Sequence, residues 1–126
     1  MSKPRPPRRT GLPHLIAATA CAGAGLRRLW QEAAFRQEVA AAAIAVVLFA
    51  LSGVGAGAYA AAAALFLVLV AVEALNTAIE VVVDHLSPDW SEFARDAKDV
   101  AGLAVACLVV VNIGFALLTL WPIWVG

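Results

Sequence analysis

The sequence predicts an all-α membrane protein, with three transmembrane helices preceded by an amphipathic helix lying on the membrane surface. Three observations carry this. Apolar residues make up 63% of the 126 residues and charged residues only 14%, against roughly 45–50% and about 25% in ordinary soluble domains. The charges are also segregated, with no Asp, Glu, Lys, Arg or His from Val39 to Val72 or from Val100 to Gly126. A hydrocarbon core of ~30 Å takes about 20 apolar helical residues to span. The second run holds one span. The first is too long for one and is broken by Ser52-Gly53-Val54-Gly55-Ala56-Gly57, a turn-forming stretch.

Residues 1 to about 13 are rich in proline and basic side chains and read as a disordered basic tail near anionic headgroups. Residues 14 to 126 form one membrane domain. Its first element, about 14–31, is the surface helix, with Arg27, Arg28 and Trp30 at headgroup depth. A signal-peptide reading, suggested by Ala18-Thr19-Ala20-Cys21, is set aside because the apolar run is weak and Arg27-Arg28-Leu29-Trp30 follows at once. The spans are expected at about 33–52, 58–84 and 98–120. Ser87-Pro88-Asp89 ends the second, since proline disfavours helix in the residue before it. Asp89–Asp96 is expected as a short amphipathic stretch on the membrane surface. Trp121, Pro122 and Trp124 form an aromatic anchor at the far interface.

Seven of the nine basic residues (Lys3, Arg5, Arg8, Arg9, Arg27, Arg28, Arg36) precede the first span, and the other two, Arg95 and Lys98, precede the third. The positive-inside rule therefore places the N-terminus and the second loop in the cytoplasm and the C-terminus outside. Every ionisable side chain lies on one side of the membrane, and any chemistry happens there. Alanine and glycine are dense in all three spans, and helices in lipid associate through close packing of small residues. Three thin helices enclose little volume, so a self-associated oligomer is expected. Cys21 and Cys107 are isolated and read as small packing residues, without a disulfide framework or metal-ligand spacing.

The strongest chemical signal is Glu73-Ala-Leu-Asn76-Thr-Ala-Ile-Glu80-Val-Val-Val-Asp84 in the second span. At 3.6 residues per turn these polar positions fall within a stripe of about 80° on one helix face. A carboxylate at membrane depth costs ~2.5–3.5 kcal/mol on insertion scales, so a stripe of them points to a partner that offsets the charge. Mg²⁺ suits it, because it prefers oxygen ligands and often takes one or two carboxylates plus substrate phosphates. The competing reading is a buried polar seam paired with Arg36 or Lys98 of a neighbouring chain.

Two weaker clusters flank this one. In Glu32-Ala-Ala-Phe35-Arg36-Gln37-Glu38, Glu32 and Arg36 are four apart, and alone they read as a solvated ion pair on one helix face. Arg95-Asp96-Ala97-Lys98-Asp99 alone reads as a solvated helix start. Together the three clusters lie at the cytoplasmic ends of their segments. Carboxylates for metal and base, with a lysine for phosphate, are what phosphoryl transfer requires. The sequence holds no G-x-x-x-x-G-K-[ST] loop, and Gly53, Gly55 and Gly57 lack the following lysine. Nucleic-acid binding has no support beyond the basic tail.

These three motifs, in this order and spacing, closely resemble the bacterial integral-membrane diacylglycerol kinases, from about residue 25 to the end. The resemblance implies a homotrimer in the bacterial inner membrane, with composite active sites near the cytoplasmic interface and a periplasmic C-terminus. It implies transfer of the γ-phosphate of Mg-ATP to 1,2-diacylglycerol, giving phosphatidic acid for phospholipid recycling. It implies Glu73 as the general base, and Glu32 and Glu80 as ligands of Mg²⁺ together with the ATP phosphates. Asn76 would orient the reacting groups, Lys98 would neutralise phosphate charge, and Asp99 and Asp89 would help to hold the nucleotide. Asp84 takes a supporting structural role. The N-terminal helix departs from the pattern. His14 and Cys21 stand nearest to where the family has an arginine and a tyrosine, and there is one residue fewer between Arg28 and Glu32. The alternatives are a kinase for another lipid alcohol such as undecaprenol, a non-enzymatic ion-coupled membrane protein using Glu73 and Glu80 as proton carriers, and an inactive scaffolding homologue.

Overall fold

The computed structural model describes residues 2–126; Met1, the first residue of the expected basic tail, lies outside the described residues. The described chain is all-helical, with α1 Leu12–Trp30, α2 Ala33–Ser52, α3 Ala56–Leu86 and α4 Glu92–Val125. Residues 2–10 carry no helix or strand. The last three helices are long and apolar enough to cross a membrane.

Local chemistry explains each boundary. Pro13 sits in the first turn of α1, where its missing N–H costs nothing, and Arg27 and Arg28 sit in its last turn, beside the negative end of the helix dipole. α2 ends at Gly53, whose φ of +67° is the left-handed cap that glycine adopts without a Cβ clash. Val54 N–H closes that cap onto Phe49 C=O at 3.4 Å. α3 runs until Ser87 and Pro88 stop it. Ser91 opens α4, its Oγ accepting the Ala94 N–H at 3.1 Å.

Bounds of α1, α3 and α4 differ from those read in the sequence. α1 starts at Leu12, because Pro13 belongs to its first turn rather than preceding it. α3 extends from Ala56 to Leu86. The Asp89–Asp96 surface stretch does not form a separate element. Once Ser91 caps the helix, nothing between Glu92 and Lys98 breaks it, so these residues are the first turns of α4. At its far end α4 continues through Pro122 to Val125. A proline this close to the end forfeits one backbone bond and little more.

α3 and α4 form the principal packed pair, α2 lies against both, and α1 touches α2 and α3. At the glycine-turn end Phe49 and Tyr59 meet edge to face at 5.7 Å, and Trp124 Nε1–H donates to Ser52 Oγ at 2.7 Å. Within the pair, Asn112 Nδ2 donates to Leu65 C=O of α3 at 3.2 Å and to Leu108 C=O of its own helix at 2.8 Å. The apolar core of a single chain is small: Leu29, Phe35, Phe49, Leu69, Val83, Ala94 and Ala101. Large side chains such as Ile44, Val47, Leu67, Val110 and Leu117 stay exposed along the spans. A surface of this kind is covered by lipid or by other copies of the chain, not by water.

At 1.5 Å per residue α2 is about 30 Å long, α3 about 46 Å and α4 about 51 Å. α2 thus matches a hydrocarbon core of ~30 Å, and α3 and α4 overshoot it. Measured from Ala56, about 30 Å along α3 falls next to Asn76. A slab that begins at Ala56 would thus end beside Glu73 and Asn76, with Glu80 and Asp84 beyond it.

Gly53→Ala places a Cβ in a left-handed conformation, although no neighbouring atom opposes it. It is expected to lower stability toward unfolding by SDS in mixed micelles by about 1–2 kcal/mol. Gly57→Ala, inside α3 and equally unobstructed, is expected to be neutral or stabilising.

Candidate functional site

The polar stripe of α3 faces inward at the charged end of the bundle. Glu73 is 4% exposed and Thr77 5%, the two buried polar side chains among the described residues. One turn further, Asn76 Nδ2 donates to Glu80 Oε1 at 3.3 Å. This bond fixes the direction of the Glu80 carboxylate and leaves Asn76 Oδ1 buried with no partner. Glu73 Oε2 is likewise buried and unpartnered.

The α1–α2 elbow brings further carboxylates to this stripe. α1 ends at Trp30, Gln31 keeps a helical backbone, and Glu32 turns to an extended one with φ −78° and ψ 127° as the residue that opens α2. Glu32 and Glu80 both lie near enough for Glu73 to feel their charge. Glu38, in the second turn of α2, also lies near enough to feel the charge of Glu73. Its Oε2 is the third buried oxygen without a partner. Four carboxylates from two segments therefore gather where α2 begins and α3 leaves the apolar slab. The family resemblance assigned no role to Glu38. Its place on the sequence, near the start of an apolar run and six residues after Glu32, was the available signal.

Glu32 does not pair with Arg36, as their spacing of four suggested. Glu32 is the N-cap of α2 and keeps an extended backbone, so its side chain does not project along the helical face that carries Arg36. Arg28, in the last turn of α1, instead donates from Nη1 to Glu32 Oε1 at 2.6 Å. Arg36 turns back and gives its Nη1 to Trp30 C=O at 2.7 Å and Gln31 C=O at 3.1 Å.

A second group of the expected residues collects at the α3–α4 turn. Asp84, Asp89, Trp90, Arg95, Lys98 and Asp99 line an open depression of about 330 Å³. Lys98 Nζ bonds Asp84 Oδ1 across the turn and also feels the charge of Glu80. The competing reading of a seam paired with a neighbour's lysine therefore does not apply to Asp84, whose partner is Lys98 of its own chain. Lys98 links the two groups. Glu32, Glu73, Asn76 and Glu80 belong to the first, Asp89 and Asp99 to the second. Trp90 and Ser87 are additional to the expected set, with Ser87 Oγ bonding Asp89 C=O at 3.1 Å and shaping the rim. His14 and Cys21 both lie exposed on α1.

Comparison with known proteins bears on this arrangement. The family model described as prokaryotic diacylglycerol kinase matches residues 20–120. A diacylglycerol kinase from Sinorhizobium sp is 46% identical over 105 residues, covering 83% of this chain and 77% of the relative. A diacylglycerol kinase from Escherichia coli strain K12 is 35% identical over 113 residues, covering 89% of this chain and 93% of the relative. One of the same name from Shigella flexneri matches to the same extent, 35% over 113 residues.

Glu38 and Glu73 feel one another's charge and each keeps a buried oxygen without a partner, and like charges in apolar surroundings repel. Glu38→Gln removes that repulsion and one desolvated carboxylate. It is expected to raise stability toward SDS unfolding by about 0.5–2 kcal/mol. A loss of stability would mean that Glu38 holds a structural bond.

Proposed function

The chain belongs to the prokaryotic diacylglycerol kinase family, and from that premise we propose that it transfers the γ-phosphate of Mg-ATP to the hydroxyl of 1,2-diacylglycerol. The product is phosphatidic acid, and the reaction takes place at the cytoplasmic leaflet of the bacterial inner membrane. The observation that supports this most is the buried, unpartnered Glu73 Oε2 at the depth where α3 leaves the hydrocarbon. A diacylglycerol hydroxyl sits at that depth, just below the headgroups.

Glu73 acts as the general base. Its Oε2 takes the hydroxyl proton while the lipid oxygen forms a bond to the γ-phosphorus. The bond from that phosphorus to the β–γ bridging oxygen breaks, and ADP leaves with the electron pair. The proton then passes from Glu73 to solvent. Proton removal by a positioned carboxylate contributes about 10²–10⁴-fold to such a reaction.

The donors around Glu73 suit Mg²⁺, since Glu32, Glu80 and the unpartnered Asn76 Oδ1 offer hard oxygens. No cage of three or more His, Cys, Asp or Glu side chains occurs among the described residues. That accords with an ion taking one or two carboxylates and completing its shell with phosphate oxygens and water. Glu32 and Glu80 would hold it, and when bound it neutralises charge on the transferring phosphate. Asn76 orients Glu80 through its 3.3 Å bond. Lys98 supplies a cation between the carboxylate cluster and the turn, and Asp89 and Asp99 line the depression that takes the rest of the nucleotide.

The assembled form in this reading is a homotrimer, which covers the apolar faces that one chain leaves open. α1 lies on the cytoplasmic surface with Leu12, Leu15, Ile16 and Leu26 exposed toward the interface. The N-terminus and the α3–α4 turn are cytoplasmic and the C-terminus periplasmic, as the positive-inside rule requires.

Radiolabelled ATP offered with diacylglycerol, ceramide, monoacylglycerol and undecaprenol side by side tests the reaction and ranks its acceptors. Diacylglycerol is expected to be labelled fastest; labelling of undecaprenol alone would move the chain to a different lipid alcohol, and labelling of none would end the kinase reading. Glu73→Gln is expected to cut the rate by about 10²–10⁴-fold while the oligomer stays intact on size-exclusion chromatography. Chelation of divalent cations is expected to abolish transfer, with Mg²⁺ restoring it.

A further inference from the structure

The α1–α2 elbow contains a device that the reaction scheme above leaves unused. A helix that stops leaves its last carbonyls without intrahelical donors. At the end of α1, Gln31 N–H reaches Arg28 C=O at 3.2 Å and Glu32 N–H reaches Leu29 C=O at 2.9 Å. Trp30 C=O and Gln31 C=O are taken by a single group, Nη1 of Arg36, at 2.7 and 3.1 Å. Arg36 belongs to the first turn of the next helix, and its own N–H bonds Glu32 C=O at 3.3 Å. One residue thus holds both flanks of Glu32. Its guanidinium grips the chain before Glu32, and its backbone grips Glu32 itself. The bonds to carbonyl oxygens are charge-assisted and sit at the negative end of the α1 dipole, where a cation is favoured.

Glu32 needs such support. It opens α2, yet its side chain makes no capping bond to that helix. Its carboxylate is directed only by the path of the elbow and by Arg28 on Oε1. A small rotation of α1 on α2 would swing it away from Glu73 and Glu80.

We infer that Arg36 is a positioning residue for Glu32, holding the elbow so that the Glu32 carboxylate meets the divalent cation in register with Glu80. The inference rests on the reading of Glu32 as a Mg²⁺ ligand. Arg36 touches neither nucleotide nor lipid in this scheme; it acts through the carboxylate. An apolar contact keeps the elbow folded without it, since Trp30 and Phe35 pack edge to face across it at 6.2 Å and Leu29 and Phe35 are buried there.

The test is Mn²⁺ binding, read by the loss of free-ion EPR signal, on the purified full-length chain in mixed micelles without nucleotide. Arg36→Ala is expected to weaken Mn²⁺ binding by about tenfold, in the range of outer-shell substitutions at metal sites. Arg36→Lys keeps the charge but loses the fork, and is expected to fall between it and the parent. In the kinase assay Arg36→Ala should raise the Mg²⁺ concentration for half-maximal rate by a similar factor, leave the KM for diacylglycerol unchanged, and recover most of kcat at saturating Mg²⁺. A merely structural lesion would instead lower the rate equally at every Mg²⁺ concentration, and that outcome overturns the inference. So does unchanged Mn²⁺ affinity in both Arg36 variants while Glu32→Gln weakens it. If Glu32→Gln also leaves Mn²⁺ binding untouched, the metal assignment of Glu32 itself has failed.

Discussion

Carboxylates are costly to bring to the edge of a hydrocarbon slab, and this fold brings four of them together. Glu73 is as buried as the apolar core of its own chain, while Glu32, Glu38 and Glu80 surround it. Only Glu32, through Arg28, and Glu80, through Asn76, receive a bond in return. Among the described residues Arg28 pairs with Glu32 Oε1 at the rim of the cluster, Arg36 is taken by two backbone carbonyls and Lys98 by Asp84, so no cation bonds Glu38 or Glu73. The three buried oxygens left without partners mark where stability has been given up. Such groups are kept in position only by the structure around them, and they are suited to a partner that arrives from outside.

The remaining architecture serves that arrangement. α2 is a membrane-length helix, but α3 and α4 overshoot the bilayer on the charged side. The excess turns carry Glu80, Asp84 and Lys98 into the headgroup region, so the apolar–polar boundary crosses the site itself. In the proposed reaction the lipid hydroxyl comes to Glu73 from the slab and the phosphate donor comes to the α3–α4 depression from the aqueous side. Asn112, bonding across α3 and α4 deep in the apolar run, holds the two long helices in register far from the site.

The three spans and the Glu73, Asn76, Glu80 and Asp84 stripe were legible in the sequence, because charge segregation and helical spacing are local properties. Contacts across the elbow were not. A spacing of four between Glu32 and Arg36 predicts an ion pair only when both residues are helical, and the extended backbone of Glu32 at the start of α2 sends its carboxylate to Arg28 and leaves Arg36 to two carbonyls. Glu38 was visible as a residue but not as a neighbour of Glu73, since only the angle of α2 against α3 makes them meet. The early start of α4 did have a local signal. Ser91 followed by Glu92 is a helix-opening pair. The depression at the α3–α4 turn depends on how the turn closes, which spacing does not encode.

The account turns on Glu32 and Glu80 holding one ion beside Glu73 at the membrane boundary. Solid-state NMR of the chain in lipid bilayers, with carboxyl-labelled glutamate and aspartate and with Mn²⁺ in place of Mg²⁺, tests this directly. Paramagnetic broadening should remove the carboxyl signals of Glu32, Glu73 and Glu80 together at low Mn²⁺. Broadening confined to Asp89, Glu92 and Asp96 at the α3–α4 turn, with those three glutamates untouched, would contradict it.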